Sequence, residues 1–161
     1  MSEPIIPVLK PGDCLLYSMP DIVDWAIEFH TAGPVAHVEV YVGEPQQAVA
    51  SRNGIGVGKY PLRVDGLAAV LRPKDPFDLT AAMAWFETVN GYGYDFAGLL
   101  SSLTPDTVTV PGHLFCSAFA TLFYRAGAFD AANAECPPNK VWPVDFLKFP
   151  GFAHLLCPAG W

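Results

Sequence analysis

The chain has 161 residues, of which 52% are hydrophobic and 16% charged, a composition that excludes intrinsic disorder and suffices for one domain with a real core. Nine basic against sixteen acidic residues give a net charge of −7, and no cluster of Lys and Arg is present to meet phosphates, which argues against nucleic acid or an anionic membrane surface as the main partner. No apolar run approaches the roughly eighteen residues that a membrane span requires.

In chain order, Met1 to Pro4 shows no basic stretch followed by an apolar one. No secretory leader is therefore expected, and the chain reads as soluble and made in the cytoplasm. Action elsewhere, for instance from a virion, would need another route. Pro11-Gly12-Asp13 is a turn into a buried strand, Cys14 to Tyr17. Asp21 can cap a helix over 22–30, in which Ile22, Trp25, Ala26 and Phe29 fall at helical spacing and which Gly33-Pro34 ends. Ala36 to Val42 alternates as a strand, with His37, Glu39 and Tyr41 on one face and Val38, Val40 and Val42 on the other. Gly43-Glu44-Pro45 turns the chain into a strand from Gln47 to Ser51. Gly54, Gly56 and Gly58 mark turns before another short extended piece, and Ala68 to Arg72 is a further strand stopped by Pro73.

The second half is more helical. Leu79 to Asn90 reads as a helix with Met83, Phe86 and Val89 facing inward, and Asp95 caps a short helical piece that runs to Leu103. A loop over 104–112 leads to an apolar helix from Cys116 to about Arg125, with Gly127 as its C-terminal cap. Pro143 to Phe149 is expected as one more helix and Phe152 to Leu156 as a last strand. With no internal repeat or linker, these elements form a single domain over 1–161 of the α+β class, a small antiparallel sheet with helices packed on it. The aromatic residues Trp25, Phe29, Trp85 and Phe86 are read as core.

Four cysteines, Cys14, Cys116, Cys136 and Cys157, stand far apart without a CxxC pair, which argues against a zinc ribbon. Cys136 and Cys157 could pair in an oxidising compartment, but the reduced state is the expectation. Cys116 differs from the others by its place at a helix start, where free N–H groups and the macrodipole favour a thiolate and can serve an oxyanion. Its bland alternative is a buried structural cysteine. His37, at the start of a strand, is the partner that could take its proton. Taken alone, His37 reads first as a capping or solvent-facing histidine at a strand edge. His30, His113 and His154 are weaker candidates, and Asp13 and Asp95 read as turn and capping residues.

Several segments in order then carry a resemblance. Gly12-Asp13 before Cys14-Leu15-Leu16-Tyr17, then Ala36-His37-Val38-Glu39-Val40-Tyr41-Val42-Gly43, Tyr92-Gly93-Tyr94-Asp95-Phe96, Phe115-Cys116-Ser117-Ala118-Phe119 and Val141-Trp142-Pro143-Val144-Asp145-Phe146-Leu147 closely resemble the permuted papain-like cysteine amidases of the YiiX type. NlpC-type cell-wall peptidases share that core with the cysteine first, and lecithin retinol acyltransferases share the permuted order. The resemblance implies a circularly permuted papain-like fold and a cysteine hydrolase acting on an amide or ester through an acyl-enzyme. Cys116 would be the nucleophile and His37 the base; Tyr94 would serve near the oxyanion. It implies no cofactor, and as substrate a peptide, cell-wall peptides included, or an acyl compound.

Two positions depart from the family pattern. Ala118 stands where relatives carry Glu, and the strand after the histidine strand offers only Ala50-Ser51 where a third catalytic group is usual. Glu39, two residues along the strand from His37, is the substitute by alternation and reads equally as a solvated strand residue, with Ser51 and Asn53 as polar fallbacks. Two other classes stay open: a catalytically inactive binding scaffold, and a zinc site built from His37, Glu39 and Cys116.

Overall fold

The computed structural model describes residues 8–18, 31–51, 56–102, 104, 108–132 and 135–161. The helix expected over 22–30, with Asp21, Trp25, Phe29 and His30, lies outside them, as does Asn53.

Six strands form one antiparallel sheet. They are β1 (Cys14–Tyr17), β2 (His37–Gly43), β3 (Gln46–Ser51), β4 (Gly56–Pro61), β5 (Leu67–Pro73) and β8 (Phe152–Leu156), in the spatial order β4-β3-β2-β1-β5-β8. The strands β6 (Gly93–Tyr94) and β7 (His113–Leu114) make a separate parallel pair. Three α-helices complete the described residues: α1 (Leu79–Val89), α2 (Phe96–Ser101) and α3 (Cys116–Ala126). The α+β class read from the sequence is the class observed.

β1 is apolar without alternation because the sheet is covered on both sides of it. Cys14 and Leu16 enter the main core beneath the helices, while Leu15 and Tyr17 join Val70 in a smaller cluster on the opposite face. The main core is aromatic. Phe119 of α3 packs on Trp85 and Phe86 of α1 with ring centroids 5.7 and 6.2 Å apart, and Tyr124 packs on Phe129 and Phe152 at 5.6 and 5.4 Å. Tyr124 also donates its hydroxyl to the Gly12 carbonyl at 2.9 Å. These contacts pin α3 over the strands, and so determine where its first residue, Cys116, stands.

Several elements differ from expectation for identifiable reasons. The inward face of α1 is Ala82, Phe86 and Val89, with Met83 only partly buried, so the buried stripe is shifted by one residue. Pro143–Leu147 is a short 3-10 segment rather than a longer helix, because Pro150 lies too close beyond it for a further turn. Gly127 ends α3, but with φ −84° it is not the left-handed residue; Ala128 takes that conformation at φ +60°. Position 127 needs glycine for a different reason: a Cβ there would run into the Phe77 ring and the Asp78 carbonyl. Asp95 does cap α2, accepting from the Gly98 N–H at 2.7 Å.

Asp13, read as a turn residue, is 1% exposed and held by Arg72 in a two-pronged ion pair, Nε to Oδ1 at 2.7 Å and Nη2 to Oδ2 at 2.6 Å. It also accepts the Lys10 N–H at 2.8 Å. Removing the arginine would leave a buried carboxylate with one amide partner. Arg72→Ala is therefore expected to lower unfolding stability by about 3 kcal/mol, the low end for such a loss because Arg72 is itself partly exposed. A urea midpoint equal to that of the unaltered protein would show that the pair contributes nothing.

Candidate active site

β2 begins at His37 and is paired with β1 so that His37 lies opposite Tyr17 and Glu39 opposite Leu15. Alternation sends Val38 and Val40 into the main core and keeps His37, Glu39 and Tyr41 on the face of Leu15 and Tyr17. Both His37 and Glu39 are buried, at 6% and 3% exposure, so Glu39 is not a solvated strand residue. Its Oε1 lies 3.0 Å from His37 Nε2. This is the contact that period-two alternation predicts for residues two apart on one strand.

Cys116 reaches the same imidazole from the helix side. It is the first residue of α3, whose N-terminus carries no side-chain cap and no acidic residue in its first turn. His37 is the first residue of β2, so its ring stands at the margin of the sheet, within reach of that turn. The sulfur hydrogen-bonds to the His37 ring and to the backbone N–H groups of Val38 and Ser117.

The two titrating groups shift each other. Burial works against a Cys116 thiolate, but the charge and hydrogen bond of His37, then the N–H groups of Val38 and Ser117, outweigh it and lower the thiol pKa. Burial likewise works against a charged His37. The charge and hydrogen bond of Cys116, followed by the hydrogen bond and charge of Glu39, overcome it and raise the imidazole well above its ordinary range. Each charged form therefore stabilises the other. The other buried cysteine behaves oppositely. Burial pushes the Cys14 thiol far up despite the Tyr124 hydroxyl beside it, which leaves it inert.

Arg63 and Tyr17 belong to the same cluster. Arg63 Nη2 lies 3.2 Å from Glu39 Oε1, the oxygen that also meets His37. Its guanidinium lies over the Tyr17 ring, 4.5 Å from the centroid. The Tyr17 hydroxyl is 2.8 Å from the Arg63 carbonyl oxygen and 3.1 Å from Gln47 Oε1, and its single proton goes to the nearer acceptor. Neither Arg63 nor Tyr17 stood out in the sequence as a site residue. Arg63 sits in the loop between β4 and β5, and only the strand register brings it beside Glu39.

The remaining candidates are placed as follows. Ser51 ends β3, paired with Gly56 of β4, and the partner of His37 Nε2 is Glu39. Tyr94 is buried in β6 beside Leu114 of β7, the segment that runs into Cys116, with its ring 4.8 Å from that of Phe96. His113 and His154 are both exposed. Ala118 lines a cavity of about 220 Å³ together with the apolar Leu114, Phe115 and Leu122 and the polar Asp95, His113 and Asn139. All four cysteines are free thiols. Among the described residues no three His, Cys, Asp or Glu side chains converge to hold a metal ion, and no helix is long and apolar enough to cross a membrane. The chain matches no known protein-family description and no curated protein.

Proposed function

We propose that the protein is a cysteine hydrolase that cleaves an amide or ester through an acyl-enzyme. The observation that carries this reading is the continuous chain of contacts from Cys116 through His37 to Glu39 at one buried site. The thiolate attacks the substrate carbonyl, and the bond to the leaving amine or alkoxide breaks as His37 gives up its proton to it. Water, deprotonated by His37, then resolves the thioester to acid and free thiol. Glu39 stabilises the imidazolium and keeps the ring aligned. The backbone N–H groups at the start of α3, with the Tyr94 hydroxyl, are the proposed donors to the oxyanion.

Support for a circularly permuted papain-like core comes from the order of the parts. The histidine strand precedes the cysteine helix, and that helix contacts the strand, with Cys116 beside His37 and Val38, over an antiparallel sheet. Glu39 supplies the carboxylate that the second strand lacks, which weakens the case for an inactive binding scaffold. Among substrates, peptide amides such as those of the cell wall fit the resemblance to NlpC-type peptidases. The cavity beside Ala118 and Phe115, with apolar walls and a few polar side chains, favours a second reading, an acyl-lipid hydrolase or acyltransferase.

Intact-mass measurement after brief exposure to an activated acyl ester tests the chemistry without knowledge of the natural substrate. One acyl group per chain, mapped to Cys116 and decaying with time, is the expected result. Acylation spread over lysines, or none at all, would overturn the reading.

A further inference from the structure

We propose that Arg63 is a positioning residue of the site, its guanidinium aligning the Glu39 carboxylate on His37 Nε2 while Tyr17 serves as the platform that holds the arginine there. The inference rests on the cysteine-hydrolase reading and concerns how its ion pair is sustained.

The geometry has three parts. Arg63 Nη2 and His37 Nε2 approach the same oxygen, Glu39 Oε1, at 3.2 and 3.0 Å. Glu39 Oε2 and Arg63 Nε are both buried with no hydrogen-bond partner among the described residues. The carboxylate is therefore turned so that one oxygen bridges two cations, and losing either cation would free it to rotate. Tyr17 grips the arginine at both ends, with its ring under the guanidinium and its hydroxyl on the Arg63 carbonyl. The loop is pinned further by the Leu62 N–H, which donates to the Pro45 carbonyl at 2.7 Å, next to the β2–β3 turn.

The chemistry favours arginine for this place. A buried carboxylate needs a counter-charge, and a guanidinium keeps its charge in partly buried surroundings where an ammonium readily loses it. It also stacks flat on an aromatic ring while its N–H groups point sideways, as Tyr17 and Glu39 require. Among the described residues, the titratable groups around Glu39 are His37 on its own strand, Tyr17 from β1, Arg63 from the β4–β5 loop and, beyond His37, Cys116 of α3. Their working state is thiolate, imidazolium, carboxylate and guanidinium, with no net charge. Removing Arg63 leaves that buried set with one excess negative charge, which disfavours the thiolate.

The sign of the effect follows from Coulomb's law. Loss of a positive charge raises every neighbouring pKa, so both the formation of the Cys116 thiolate and the later deprotonation of His37 move to higher pH. Arg63→Met keeps the apolar stem against Tyr17 and removes only the charge and its hydrogen bonds. Thiolate absorbance in the ultraviolet, taken as the difference between each protein and its Cys116→Ala counterpart, follows the titration directly. In the unaltered protein the thiolate is expected below the ordinary thiol range; if it appears only near pH 8.5 or above, the hydrolase reading itself fails and this proposal with it. Given that low-pH thiolate, Arg63→Met should move its midpoint up by on the order of half a unit to one unit, and Arg63→Lys, which brings a cation without the stacking fork, should restore only a minor part of it. Should Arg63→Met not fold, Tyr17→Phe, which releases the Arg63 carbonyl but keeps the ring, is expected to shift the midpoint in the same direction. A variant that unfolds more easily yet titrates like the unaltered protein would show that Arg63 is only structural, and would overturn the proposal while leaving the hydrolase reading untouched.

Discussion

Cys116→Ala is expected to lower turnover of any ester or amide substrate by a factor of at least about 1,000 and to abolish the acyl-enzyme, while leaving the fold intact. Among the described residues no neighbouring group is placed to take over the attack. Ser117 is fully buried, and the Cys14 thiol is held protonated by burial at the far end of β1. The fold should not suffer, because Cys116 brings a charge into a buried site. Its removal takes away both the thiolate and the attraction that keeps His37 charged. The melting temperature of Cys116→Ala should therefore equal or exceed that of the unaltered protein. Cys136→Ser, at a partly exposed thiol remote in sequence from the site, should keep full activity. Persistent turnover in Cys116→Ala, or its loss in Cys136→Ser, would place the nucleophile elsewhere.

The second large effect concerns Glu39. Glu39→Gln keeps the shape and a hydrogen-bonding oxygen but removes the negative charge beside His37 Nε2. Turnover should fall by a factor on the order of ten or more, with folding preserved. The pH profile provides a second readout with a definite sign. The hydrogen bond and charge of Glu39 both raise the His37 pKa, so losing the charge lowers it, and the alkaline limb of the profile should move to lower pH. That is the opposite direction to Arg63→Met, so the two substitutions are separable by their titrations alone. Ser51→Ala should have the smaller effect, since the partner of the imidazole is Glu39. Full activity in Glu39→Gln together with a loss in Ser51→Ala would return the orienting role to the second strand.

How much of this was legible in the sequence depends on the range of the interaction. The alternation of β2 is local, so the shared face of His37 and Glu39, and hence their contact, could be read from spacing alone. The start of α3 is also local: a loop bearing Pro111 and Gly112 gives way to an apolar run at Cys116, and the unpaired N–H groups follow. The pairing of Cys116 with His37 is not local. It depends on α3 crossing the sheet, which the aromatic contacts of Phe119 and Tyr124 decide, and it entered the reading through the order of motifs. Arg63 and Tyr17 were missed because nothing near either residue marks it. Tyr17 looks like the end of an apolar strand, and Arg63 like one more surface arginine in a loop. Only the pairing of Tyr17 with His37, with the β4–β5 loop returning over it, brings them to Glu39. Gly127 shows the reverse failing. Glycine was expected there for its backbone freedom, yet it is required by the closeness of Phe77, a neighbour fifty residues away in the chain.

The central claim is that Cys116 exists as a thiolate at neutral pH in a site that admits a carbonyl compound. Cysteine-resolved alkylation tests both halves together. Brief treatment with iodoacetamide at about pH 6.5, where ordinary thiols stay protonated, followed by mass mapping, compares four thiols in one sample. Burial raises the thiols of Cys14 and Cys157, while His37 lowers that of Cys116 against its own burial. Cys116 should be the fastest of the four, with its advantage growing as the pH falls from about 8.5 towards 6.5. Equal labelling of Cys136, Cys157 and Cys116 at every pH, or labelling of Cys116 only after unfolding, would contradict it.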